Sequence, residues 1–119
     1  MRTFLAFLRD RITLVKDTEK EALSLLHEGG DEKGYREAMR RKAMILANLS
    51  ADAAPLLPGV PMGKRPMIEH RLDVFSQSAQ RSLDIGSVFY MSALLYPDDH
   101  QPGQPNTLEV FLADLERDR

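Results

Sequence analysis

The chain has 119 residues, 43% of them apolar and 29% charged, and its sixteen basic and eighteen acidic side chains leave a net charge of −2. That length suits one domain over residues 1–119 with a real core, the composition is that of an ordered globular protein, and the near-balanced charge argues against nucleic acid or an anionic membrane as a partner. The absence of cysteine excludes disulfides, thiolate metal sites and cysteine nucleophiles, and fits a cytoplasmic setting.

The opening residues MRTFLAFLRDR have too short an apolar run for a signal peptide, and no stretch approaches the ~18 apolar residues of a membrane span. Instead they begin a helix, with Thr3 as its expected cap and Gly29-Gly30 as its stop. Leu5, Leu8, Ile12, Val15, Ala22 and Leu26 trace its buried seam. Glu19 falls where that seam calls for an apolar residue. Either it is a buried carboxylate with a partner, or the helix rotates to turn Thr18 inward; the second reading is preferred.

Asp31 is the expected N-cap of a second helix that continues to about Ala53, its apolar positions Tyr35, Ala38, Met39, Ile45, Leu46 and Leu49 recurring with helical period. It should pair antiparallel with the first as a helical hairpin. Residues 35–49 resemble one helix of a tetratricopeptide-type unit, without a second copy at a fixed period. Lys33, Arg36, Arg40 and Arg41, with Lys42 beside them, make this the most basic stretch. A solvated face in which Glu32 pairs with Arg36 and Glu37 with Arg41 accounts for it, and an anion patch extended by Lys64 and Arg65 is the functional alternative.

Residues 54–64 hold three prolines and two glycines in eleven positions and form a loop, yet Leu56, Leu57, Val60 and Met62 are apolar enough to pack over one end of a bundle. Residues 66–96 then read as one long central helix, opened by Pro66 and stopped by Pro97. Ile68, Leu72, Phe75, Ala79 and Leu83 mark its core face, while Arg71 and Arg81 lie on the opposite, polar one. Beyond Leu83 apolar residues surround the circumference, and Ser78, Ser82 and Gly86 form a small-residue column suited to close packing. A polar, mobile loop, PDDHQPGQP, leads to a short last helix with Asn106 and Glu109 as a capping box. Four helical segments without strand-like alternation predict an all-α, antiparallel four-helix bundle.

No catalytic or metal signature stands out. His27, His70 and His100 lie in separate segments without metal-ligand spacing, a polar loop explains Asp98, Asp99 and His100, and no cofactor motif is present. The surplus of apolar residues at 83–95 points to a noncatalytic interaction module acting as a homodimer, an adaptor or a chaperone-like bundle. Leu83, Gly86, Phe89, Tyr90 and Leu94 would be its contact residues, and the partner would be a second copy or another helical protein. A sensor bundle holding a small apolar ligand between the first helix and the long one, near Gly86, Phe89 and Tyr90, is the alternative. The six residues from Arg65 to His70 also resemble, in spacing, the arginine–histidine motif of HEPN-type helical ribonucleases. That resemblance implies proton transfer by His70 and phosphate binding by Arg65, and it ranks below the other two readings.

Overall fold

The computed structural model describes residues 1–118. Among them are six α-helices, one 3-10 turn and no strand. The seam of the first segment is buried from Leu5 to Ala22, with Leu26 half-buried, in α1 (Arg2–His27), which starts at Met1 and Arg2 rather than at a Thr3 cap. Gly30 takes a left-handed conformation (φ 61°), the Asp31 amide donates to the Leu25 carbonyl at 2.9 Å, and the Asp31 carboxylate accepts from Gly34 N–H at 2.8 Å. The expected cap thus opens α2 (Glu32–Ala47), antiparallel to α1.

The second helix breaks at Asn48, and α3 (Leu49–Ala53) is a separate turn. A break exposes orphan backbone groups. Ser76 supplies partners for two of them, its hydroxyl donating to the Leu46 carbonyl at 2.9 Å and accepting from Ser50 N–H at 3.0 Å. Residues Ala54–Gly59 wind as a 3-10 turn that tolerates Pro58, and Val60 is buried behind it while Met62 points to solvent. This segment packs over one end of α1 as the sequence suggests.

The predicted helix over 66–96 is in fact two helices, α4 (Arg65–Ile85) and α5 (Val88–Ala93). Gly86 is left-handed (φ 73°), with its amide donating to Leu83 O at 3.1 Å and Ser87 N–H to Ser82 O at 3.2 Å. This paired bonding closes the C-terminus of α4, and Ser87 then caps α5 by accepting from Tyr90 N–H at 3.1 Å. Gly followed by Ser was the stop-and-restart signal. The small-residue column does not admit a neighbouring backbone, because Ser82 is buried, Ser78 is exposed, and nothing lies within 4 Å of a Cβ built on Gly86.

After α5, Ala93 to Tyr96 turn through Leu95, a non-glycine residue at φ 76°, and the polar loop leads to α6 (Thr107–Arg117). The architecture is therefore a six-helix all-α arrangement in which α1, α2, α4 and α6 are the longer members, not a strict four-helix bundle. Phe4, Leu5, Leu8, Leu46, Leu49, Ile68, Leu72, Leu108, Phe111 and Leu115 form the main core. A smaller cluster of Ala22, Ala38, Met39, Ala43 and Met91 fastens α5 to the hairpin.

Asn106 and Glu109 form the expected capping box, each side chain accepting the other's backbone N–H at 2.9 Å. Burial pushes Glu109 upward, but the Asn106 N–H and the Lys16 ammonium at 3.0 Å outweigh it, leaving the carboxyl below its ordinary value of 4.5. A depressed folded-state pKa contributes stability above that ordinary value, and the contribution is lost as pH falls through the folded one. Unfolding free energy should therefore fall as the pH is lowered through and below the ordinary carboxyl value, and less so in Glu109→Gln, whose amide oxygen still caps. Urea titrations across that range check this, and identical slopes for both proteins would count against it.

Candidate functional site

The apolar residues beyond Leu83 divide into two sets because α5 turns away from the axis of α4. Met91 packs on α2 with 1% of its surface accessible, whereas Phe89 is 75% exposed and Tyr90 53% exposed, their rings edge to face at 5.8 Å. Ile85, at the end of α4, is 59% exposed beside them. Of the other residues predicted to make contacts, Leu83 and Leu94 are half-buried and Gly86 is the exposed helix cap.

Ser78, Ser82, Ile85, Tyr90, Ala93 and Leu94 line a groove of about 390 Å³ between α4 and α5. It lies on the outer side of α4, not between α1 and the long helix where the sequence placed a ligand. The groove continues past Ser78 and Leu94 to Val74, Phe75 and Arg71, and from Arg71 to Met67 and Phe111. Its depth has a simple cause. α6 packs against α1, held by the Arg9–Glu116 and Lys16–Glu109 ion pairs at 2.8 and 3.0 Å, and bridges to α4 mainly through long side chains such as Phe75 on Phe111 at 5.9 Å.

What fixes α5, and with it Phe89, is a buried charge. Lys42, read from sequence as part of a solvated basic face, has 0% of its side chain accessible. Its ammonium lies 2.9 Å from Glu19 Oε2, donates to the Ser92 carbonyl at 3.0 Å, and sits 5.0 Å from the Tyr96 ring centre. Tyr96 O–H donates to the other Glu19 oxygen at 2.8 Å. Both sequence readings of α1 thus hold together. Thr18 is buried, its hydroxyl donating to the Leu14 carbonyl at 2.7 Å, and Glu19 is also a largely buried carboxylate with a partner. Burial holds the Lys42 ammonium below the usual lysine range against the pull of Glu19. Burial, and then the Glu19 hydrogen bond, push the Tyr96 hydroxyl well above the usual tyrosine value. Because Ser92 lies in the last turn of α5, Lys42 also complements that helix's C-terminal carbonyls. Sequence reasoning missed this cluster, although a lysine spaced four residues from both Ala38 and Leu46, inside the apolar period of α2, was its signal.

The remaining basic candidates do not form one patch. Lys33, Arg36 and Arg40 are exposed on α2, but Arg41 is held bidentately by Glu21 of α1 at 3.1 and 3.2 Å, instead of by Glu37. That hydrogen bonding, with the nearby guanidinium charge, draws the Glu21 carboxyl below its ordinary value. The predicted Glu32–Arg36 pair is likewise not formed within 4.0 Å among the described residues.

Arg65 turns back onto the preceding loop, donating from Nε to Val60 O at 3.0 Å and from Nη2 to Pro58 O at 2.9 Å. His70 is exposed five positions further along α4, about 140° around the helix axis from Arg65. The structure therefore does not turn the two side chains toward one another. Among the described residues no three His, Asp or Glu side chains converge as a metal site would need, and no helix is long and apolar enough to cross a membrane. No protein-family model, curated protein or solved structure matches the chain.

Proposed function

We propose that the chain is a noncatalytic helical interaction module whose contact surface is the exposed apolar stripe of α4 continued onto α5. The observation that carries this reading is the exposure of Phe89 beside the open groove of Ile85 and Tyr90. A large aromatic side chain gains about 1.5–3 kcal/mol on full burial, so leaving one in water next to two further apolar side chains favours association. The length and openness of the groove suit a helix of a partner, supplied by a second copy or by another protein, better than an enclosed small ligand.

Phe89→Asp tests the surface without touching the core. The variant should remain folded, with stability within about 0.5 kcal/mol of the parent, as is usual for an exposed position. Its association should weaken by at least thirtyfold, about 2 kcal/mol, the level of an interface hot spot. Light scattering on the eluting protein reads self-association, and titration with labelled amphipathic helical peptides reads association with a foreign helix. A folded variant that behaves like the parent in both measurements would remove the surface from consideration.

A further inference from the structure

The residues of α4 that line the groove from end to end are Met67, Arg71, Val74, Phe75, Ser78, Arg81, Ser82 and Ile85. They recur at three- and four-residue steps, one continuous seam along α4 of the kind a partner helix packs on. Met67, Val74 and Ile85 are exposed on that seam although they are apolar. Eighteen residues of rise make it about 27 Å long, the length of a five-turn helix. The opposite wall is Phe111, Leu95, Leu94 and Tyr90 in succession.

Two cations interrupt this apolar seam, and among the described residues neither is paired with a carboxylate within 4.0 Å. Arg71 lies half-buried over Phe111 and Phe75, its guanidinium carbon 5.0 and 5.8 Å from the ring centres. A guanidinium held against aromatic faces keeps its in-plane N–H groups available and has already lost much of its rotamer freedom. Arg81 is exposed and lines the α5 half of the groove. Two acidic groups share the Met67 end of the groove with Arg71, together with the further cation Arg117. Asp84 accepts from Gln80 at 2.9 Å, Asp114 is bonded to Arg117, and Asp118 stands at the Met67 end.

Resting on the interaction-surface reading, we infer that the groove takes an acidic amphipathic helix of another protein, its apolar residues meeting Met67, Val74 and Ile85 and its carboxylates meeting Arg71 and Arg81. Charge complementarity selects this occupant. A basic or uncharged helix would bury or crowd two unpaired guanidinium groups, whereas glutamates about ten residues apart match the roughly 15 Å between the two arginines along the axis. Bidentate pairing to carboxylate is the geometry a guanidinium favours.

Two labelled helical peptides of about eighteen residues, matching the groove, distinguish the possibilities. They share leucines at the seam positions and carry either glutamate or lysine at the flanking ones. The glutamate peptide should bind at least tenfold more tightly, and more weakly as salt rises. Arg71→Glu/Arg81→Glu should invert the preference, and Arg71→Gln/Arg81→Gln should abolish it should the reversal fail to fold. Equal binding of both peptides to the parent overturns acidic recognition while leaving the contact surface standing. Failure of both peptides, with a parent dimer that Phe89→Asp dissociates, assigns the groove to a second copy and overturns the inference alone. Failure of both with no effect of Phe89→Asp on mass overturns the inference and the surface reading together.

Discussion

Lys42→Ala is expected to destabilise the fold by about 3–5 kcal/mol, because removing one partner of a buried ion pair leaves the other without compensation. The ammonium is enclosed by groups from three parts of the chain, Glu19 of α1, the Ser92 carbonyl of α5 and the ring of Tyr96. Truncation strands Glu19 with only the tyrosine hydroxyl, leaves the end of α5 uncapped and empties the space filled by the lysine stem. Lys42→Met, which refills that space, should be less damaging. The triple variant Lys42→Met/Glu19→Leu/Tyr96→Phe should recover most of the loss, since an apolar replacement avoids desolvating the charges at all. Urea denaturation followed by circular dichroism gives all three values. A loss below about 1 kcal/mol in Lys42→Ala would mean that the ammonium reaches water in solution, as a surface pair does.

Phe111→Ala should lower stability by a comparable amount, about 3–5 kcal/mol, the usual range for removing a fully buried phenylalanine. Phe111 is 1% exposed, packs on Phe75 and carries Arg71 over its outer face. Its removal withdraws both the main link between α6 and α4 and the support of the Arg71 guanidinium. Two readouts are therefore expected to move together. The denaturation midpoint falls, and any peptide that depends on Arg71 binds less tightly, whereas Phe4→Ala, at a buried site that does not line the groove, should affect the midpoint alone. Equal losses of peptide binding in the two variants would show that stability, not the placement of Arg71, governs it.

Much of the helical content was legible because period and caps agreed. Asp31, Pro66 and the Asn106–Glu109 box mark helix starts by local chemistry, and local chemistry is visible in a sequence. The interruption at Gly86 was obscured by the apolar residues on both sides of it. Apolar periodicity carries across a short break, since Leu83 and Val88 both face the same small cluster from different helices. Lys42 was hidden for a different reason. Its neighbours Arg40 and Arg41 are exposed, and burial of a lysine depends on Glu19 and Tyr96, residues distant in the chain, which no pattern within α2 encodes. The arginine seam of α4 was visible as polar residues, but its significance depends on where α6 docks. That is a tertiary property.

The route by which α6 reaches its place has a kinetic consequence. The α1–α2 hairpin is joined across a short turn, and its Arg41–Glu21 clasp spans a separation of only 20 residues. The clasps between α1 and α6 span 93 and 107. Closure entropy grows with the length of the loop enclosed, and contacts distant in sequence form later than local ones. The hairpin is accordingly expected to assemble first and α6 to settle last. Until it does, one wall of the groove is missing and the buried face of α1 is open. During refolding, then, the apolar face of α1 that α6 covers stays open longest, and aggregation before closure is expected to start there.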